Sequence, residues 1–345
     1  MADKKKSKKS EITDSKNIRT KKKKKKMSKK KKIVILSIIN VVAILLVLGV
    51  FLFYYLLGGL NRKDLTKDFS RLGIDSENNQ KFEGAGIVNV ALFGIDSRTN
   101  TFTGLSDTII IASINRKTGV VKLTSFARDT RVPIDGHGET KINAAYSHGG
   151  PELAIKTLNK NFGMNIQDYV TINMTQLVKV IDVAGGVTIE ITEAERQMAN
   201  GIMDELTPKE PKIKKSGTVT LTGAQATAYC RIRKIDSDLY RMDRQKKVLE
   251  ELFNKAKTLS LPKLAETIHT ISPMVETSMD YDEIYELAKV LTISGARMES
   301  LRFPHDNTKY TSGKQTNWDI VYDLNIAKNE LHDYIYDDKR PDIKQ

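Results

Sequence analysis

GIVNVALFGIDSR, residues 86–98, is the stretch from which the fold can be read outward. Residues 86–93 form a short apolar run, rich in β-branched side chains and closed by Gly94, the pattern of a strand buried on both faces. Beyond Gly94 the chain becomes charged. Asp96 and Arg98 stand where it leaves the strand's carboxyl end, the edge at which α/β proteins build their sites. Residues 108–114 (TIIIASI) and 120–126 (VVKLTSF) read as two more strands, joined by a turn at 115–119.

Helices then alternate with strands. Residues 151–161 read as a helix with Pro151 in its first turn and Gly163 just past its end. A strand is expected at 169–174, a helix at 175–184 closed by Gly185 and Gly186, and a strand at 187–191. A charged amphipathic helix covers 241–257, and a last strand 300–304. Alternation of this kind predicts an α/β sandwich with a mixed sheet.

Upstream the composition changes. Residues 33–57 (IVILSIINVVAILLVLGVFLFYYLL) carry no charge. At about 1.5 Å per residue this run is roughly 37 Å of helix, enough to cross a hydrocarbon core of about 30 Å with some tilt. It is too long for a signal-peptide core and no A-x-A site follows it. Lys29–Lys32 abut one end, so the expected topology is a single-pass cell-membrane protein with a cytoplasmic N-terminus and an exported C-terminal part. Residues 1–32 hold sixteen Lys, Arg19 and three acids, which accounts for the whole formal charge of +14; the rest is balanced. That tail reads as a disordered topology signal touching anionic membrane lipid. It has no aromatic for stacking, which argues against nucleic acid as a partner. Residues 58–85 read as a polar juxtamembrane linker, and 86–345 as one exported domain with its motifs in 86–250.

One cysteine excludes an internal disulfide, and the five histidines lack metal-ligand spacing. No G-x-S-x-G, P-loop or H-E-x-x-H occurs. The chemistry must therefore come from charged residues at strand ends. Asp96 and Asp107 flank adjacent strands and suit either a magnesium ion or turn caps. Arg128 ends the strand 120–126. Arg231 and Arg233, two apart, would share a face in extended chain. Arg241, Arg244 and Gln245 share a helical face. Such arginines form either a bidentate anion site or ordinary surface charge. Asp238, between them, is a base or their counter-ion.

These stretches resemble the LytR–CpsA–Psr family. NVALFGIDSR (89–98), SDT (106–108), SFARDT (125–130), KINAAYSHGG (141–150), VIDVAGGV (180–187), LTGAQATAYCRIRK (221–234) and DLYRMDRQ (238–245) appear in the family's order. The resemblance implies an α/β/α sandwich with a central mixed sheet behind one transmembrane helix. It implies a phosphotransferase that moves a glycopolymer, such as teichoic acid or capsule, from an undecaprenyl-pyrophosphate carrier to peptidoglycan in Gram-positive bacteria. It places Mg2+ on Asp96 and Asp107. It places the pyrophosphate on Arg98, Arg128, Arg231, Arg233, Arg241 and Gln245, and it puts Asp238 near the reacting centre with Arg128. Leu105, Ser237, Tyr240 and Cys230 depart from the family pattern. Hydrolysis of the same lipid pyrophosphate, and a membrane-bound transcriptional attenuator, are the alternative readings.

Overall fold

The computed structural model describes residue 44 and residues 59–97, 102–290, 293 and 295–341. The tail 1–32, the apolar run 33–57 apart from Ile44, and Arg98 lie outside the described residues. Among the described residues no helix is long and apolar enough to cross a membrane.

In chain order the strands are β1 Asn61–Arg62, β2 Ile87–Ile95, β3 Ser106–Asn115, β4 Val120–Phe126, β5 Arg131–Ile134, β6 Gly138–Lys141, β7 Asp168–Asn173, β8 Val187–Ile191, β9 Gly217–Leu221, β10 Glu276–Thr277 and β11 Arg297–Phe303. A seven-stranded sheet runs β1-β10-β7-β2-β3-β4-β11, while β5-β6 and β8-β9 are separate hairpins. The large sheet is mixed: β2 is antiparallel to β3 but parallel to β7, and β4 is parallel to β11.

Alternate residues of the central strands face two cores, as strands covered on both sides require. Ala91, Phe93, Ile109, Ile111 and Phe126 point to one face. There they meet Phe82 of helix Ser76–Ala85, Phe162 of helix Ala144–Phe162 and Tyr334 of helix Leu324–Asp337. Ile110, Ala112, Val121 and Leu123 point the other way, toward Val290 of helix Tyr281–Val290 and Leu249 and Phe253 of helix Asp238–Thr258. A third core joins the β8–β9 hairpin to helices Met174–Val183, Glu193–Leu206 and Gly223–Tyr229.

Three local readings differ from the structure. Residues 58–85, polar enough to suggest a linker, carry β1 and the helix Ser76–Ala85, because Leu72 and Phe82 are fully buried and anchor the segment to the domain. The helix expected at 151–161 starts earlier, at Ala144, with a break at Gly149 and Gly150 before Pro151 opens its second part. Arg231 and Arg233 do not share a strand face. They come after the helix Gly223–Tyr229, which Thr222 and Gln225 start with a reciprocal cap.

Gly223 fixes how that helix lies. A Cβ there would come within 2.0 Å of the Val178 carbonyl oxygen, and the Gly223 N–H donates to Asp182 at 2.6 Å. Gly223→Ala must therefore push apart the two helices that carry the site's wall. The expected loss of stability is about 1–3 kcal/mol, measured as a lower urea midpoint at unchanged m-value; an unchanged midpoint would show that the contact is not needed.

Candidate active site

The site begins with a mismatch in the β2–β3 ladder. Gly94 faces Thr108, but the next pair is Ile95 with Ser106, so Asp107 is the extra residue of a β-bulge. Gly94 has to be glycine, since a Cβ would lie 2.8 Å from Thr108 Cβ. The bulge frees the Asp107 carbonyl from the ladder, and Arg241 Nη2 donates to it at 3.3 Å. It also aims the Asp107 carboxylate at Arg128, whose Nη1 donates to it at 2.7 Å.

Asp238, in the first turn of helix Asp238–Thr258, gathers the other guanidiniums. Its oxygens accept from Arg241 at 2.9 Å and lie 3.3 Å from Arg233 Nε and 4.0 Å from Arg128 Nε. Arg231 reaches Asp96 from the helix end opposite, with both carboxylate oxygens at 3.3 and 3.4 Å. Asp129 is a turn residue paired to Lys141 at 2.9 Å. Arg244 turns away from the cluster to Glu195 and Asp236, so it is a structural pair.

These side chains wall a cleft of about 530 Å3. Asp96, Asp107, Arg128, Arg231, Arg233, Arg241 and Gln245 all line it; of the sequence-derived candidates among the described residues, Asp238 stands behind the arginines and Arg244 turns away. Lys234, Met174 and Glu205 also line it and were not foreseen. Nothing in the surroundings of Met174 and Glu205 marks them, and it is the placing of helices Met174–Val183 and Glu193–Leu206 that brings them to the cleft, whereas Lys234 ends the stretch 221–234 that carries Arg231 and Arg233.

A second cavity of about 260 Å3, whose wall is almost wholly apolar, adjoins the cleft. Leu92, Ile110, Val170, Ile172, Leu177 and Leu249 line it between the sheet and the helices. Gly94, Thr108, Met174, Cys230 and Gln245 line both spaces and form the boundary between charge and hydrocarbon.

The charge balance of the cleft favours an anion. Arg128, Arg231, Arg233, Lys234 and Arg241 outnumber Asp96, Asp107 and Glu205. Burial pulls the Arg241 pKa down to about 10, against the lift from Asp238 and helped by the neighbouring Arg233 and Arg128. Arg128 goes the other way: burial opposes its charge, but Asp107, Asp238 and Asp129 together hold its pKa above the ordinary value. The Nε atoms of Arg128, which is 3.5 Å from an Asp129 oxygen, and of Arg241 are buried without a hydrogen bond among the described residues. Buried donors of this kind call for an acceptor from a ligand.

Comparison with known proteins agrees with this geometry. The LytR_cpsA_psr family pattern matches residues 60–331, and the chain belongs to that family. A polyisoprenyl-teichoic acid–peptidoglycan teichoic acid transferase TagU of Oceanobacillus iheyensis is 34% identical over 261 residues, 72% of this chain and 77% of the relative. TagT bound to LIIa-WTA superposes with a TM-score of 0.60 at 27% identity, over 73% of this chain and 92% of that one. YwtF (TagT) with bound octaprenyl pyrophosphate lipid gives a TM-score of 0.56 at 25% identity, over 73% and 91%.

Cys230 provides a probe of the boundary between the two spaces. Burial pushes its thiol up to about 12. At pH 8 its thiolate fraction is then roughly a thousandfold below that of an ordinary thiol. Iodoacetamide should label the native protein at least about a hundredfold more slowly than the urea-unfolded chain. Equal rates in the two states would place Cys230 in water.

Proposed function

We propose that the chain is a transferase that moves a glycopolymer of the teichoic acid type from a polyisoprenyl pyrophosphate, undecaprenyl in the cell, onto peptidoglycan. The observation that carries the reading is the junction of two unlike spaces, a guanidinium-walled cleft and an apolar cavity that share Gly94, Thr108, Met174, Cys230 and Gln245. A lipid pyrophosphate has those two parts in that order. The relatives' names and the lipid-bound TagT structure support the same substrate class. The run 33–57 would anchor the domain beside its lipid substrate on the outer face of the membrane.

The residues have separable tasks. The apolar cavity takes the first isoprene units and keeps water from the bond to be broken. The guanidiniums of Arg128, Arg231, Arg233 and Arg241 bind the non-bridging oxygens and orient the pyrophosphate. An acceptor hydroxyl of peptidoglycan attacks the phosphorus that bears the glycan. The bond from that phosphorus to the bridging oxygen breaks, the lipid phosphate leaves with the new negative charge, and the proton of the attacking hydroxyl passes to water in the open cleft. Arginines already fixed by Asp107 and Asp238 stabilise that charge without reorganising.

Asp96 and Asp107 fit a magnesium ion. They line one cleft, Asp96 paired to Arg231 and Asp107 to Arg128, and the ion would take the place of those arginines on the two carboxylates. Mg2+ takes one or two carboxylates and completes its shell with water and phosphate oxygens. Held there, it would add charge neutralisation on the pyrophosphate. Both oxygens of Asp238 are engaged by arginines, which supports its counter-ion role over that of a base.

The test is transfer from a purified lipid-pyrophosphate donor to peptidoglycan fragments in saturating Mg2+. Arg128→Lys, Arg231→Lys and Arg233→Lys should each slow transfer at least about tenfold, near 1.4 kcal/mol of barrier, because Lys cannot supply two parallel N–H donors. Asp238→Asn should raise the donor KM and leave the pH profile of kcat in place; loss of the acidic limb instead would make Asp238 the base. Arg71→Lys, on a surface pair with Glu152, is the control. Wild-type rates in all three arginine variants would reduce the cluster to surface charge and remove the basis of the reading.

A further inference from the structure

The loop between β11 and the helix Leu324–Asp337 spends structure on exposing one ring. Trp318 is the chain's single tryptophan and is 62% exposed. Its φ is +64° and that of Asn317 is +52°, so two consecutive non-glycine residues hold the left-handed conformation. Such a conformation is strained for a residue with a Cβ, and strain of this kind persists only where surrounding contacts impose it. Those contacts are present. The Trp318 N–H donates to the Gly313 carbonyl at 2.8 Å, Asn317 N–H to Lys314 at 3.2 Å and Asp319 N–H to Thr316 at 2.9 Å. Burial of apolar area would draw an indole inward, yet the loop's bonds turn it out.

The root of the loop is tied to the site. The Ile320 N–H donates to the Asp129 carbonyl at 2.8 Å, and the Arg131 N–H to Ile320 at 2.9 Å. Asp319, buried beside Trp318, pairs with Arg131 at 3.4 Å and lies 3.9 Å from Lys141, which in turn holds Asp129. Asp129 is the neighbour of Arg128, a wall residue of the phosphate cleft that does not line the apolar cavity. The loop that carries Trp318 is thus tied to the backbone next to Arg128, a residue of the cleft that takes no part in the hydrocarbon boundary. On the returning arm, Thr311 pairs with Val321, and Tyr310 next to it is a second exposed aromatic, at 44%.

We infer that Trp318, with Tyr310, is a stacking platform for the glycan strand of the peptidoglycan acceptor; this rests on the transferase reading above. The chemistry is specific to sugars. One face of a pyranose carries axial C–H bonds, whose positive ends match the negative face of an indole, while the hydroxyls around the ring remain in water. A rigid exposed ring loses little side-chain entropy on binding. The acceptor is the half of the reaction this side can serve. The donor's lipid leaves the cleft through the boundary at Gly94, Thr108, Met174, Cys230 and Gln245, and an attacking hydroxyl has to come from the side away from the departing lipid phosphate.

A single tryptophan makes its emission a direct reading of this site. Titrating the full-length protein in detergent with soluble peptidoglycan glycan fragments should shift its emission to the blue and saturate. The water-soluble glycan of the donor should leave it unchanged. Trp318→Gly suits a positive φ, so it should keep or raise the melting temperature. It should nevertheless raise the acceptor KM at least about tenfold with kcat and donor KM preserved; Trp318→Phe should restore most of the affinity. Emission that ignores peptidoglycan fragments while the protein transfers normally would overturn the platform and leave the transferase standing. A response to donor glycan alone, or an unchanged acceptor KM in Trp318→Gly, would also overturn it. A saturable response to peptidoglycan in a protein with no transfer activity would support the platform and count against the transferase reading.

Discussion

Arg241 is 3% exposed, and a guanidinium at that depth would cost several kcal/mol if it stood alone. Asp238 is what keeps it charged. The same carboxylate faces Arg233 and Arg128, and Asp107 holds Arg128 from the other side. Remove that pair of acids and three like charges would repel one another or turn out to solvent. With the acids in place, the arginines are held on one wall before any ligand arrives, and the Nε atoms of Arg128 and Arg241 remain buried without a hydrogen bond among the described residues. The active-site account depends on this arrangement, since preorganised donors act on developing charge without a reorganisation cost at the moment of reaction.

The fold delivers that cluster through three unrelated devices. A bulge at Asp107 ends the regular β2–β3 ladder, a tight crossing at Gly223 sets the helix that leads to Arg231, and the first turn of the helix Asp238–Thr258 presents Asp238 and Arg241. The apolar cavity lies where the same long helix crosses the sheet, with Val248, Leu249 and Leu252 facing Leu92 and Ile110. One helix therefore carries the anion site at its start and the hydrocarbon wall two to three turns later. That coupling explains why the charged cleft and the apolar cavity meet at Gln245 and Cys230.

Much of this was legible before the structure. The strands β2, β3 and β4 stand out as unbroken apolar runs because both of their faces are buried, and the charges at their ends mark the site. Gly94, Asp96, Asp107 and Arg128 are readable for that reason. Arg231 and Arg233 were readable as a pair but not in their conformation, since the helix Gly223–Tyr229 is short and its cap, Thr222 with Gln225, is easily read as a turn. The resemblance implied a groove for a polyprenyl chain, but the apolar residues that line the cavity were not legible. In sequence, Leu177, Val248 and Leu252 are the same core-facing positions whether the space beside them is filled or open. Residues 58–85 misled through composition, because a few buried side chains such as Leu72 and Phe82 outweigh many polar ones in fixing a segment.

The central claim is that one lipid pyrophosphate spans both spaces. The most direct measurement is the electron density of full-length protein purified from membranes with its lipid retained. The account predicts a pyrophosphate within hydrogen-bond distance of Arg128 Nε and Arg241 Nε, with a hydrocarbon chain continuing past Gln245 and Cys230 between Leu92 and Leu249. A lipid seated elsewhere, or an anion that leaves both Nε atoms without an acceptor, would contradict it.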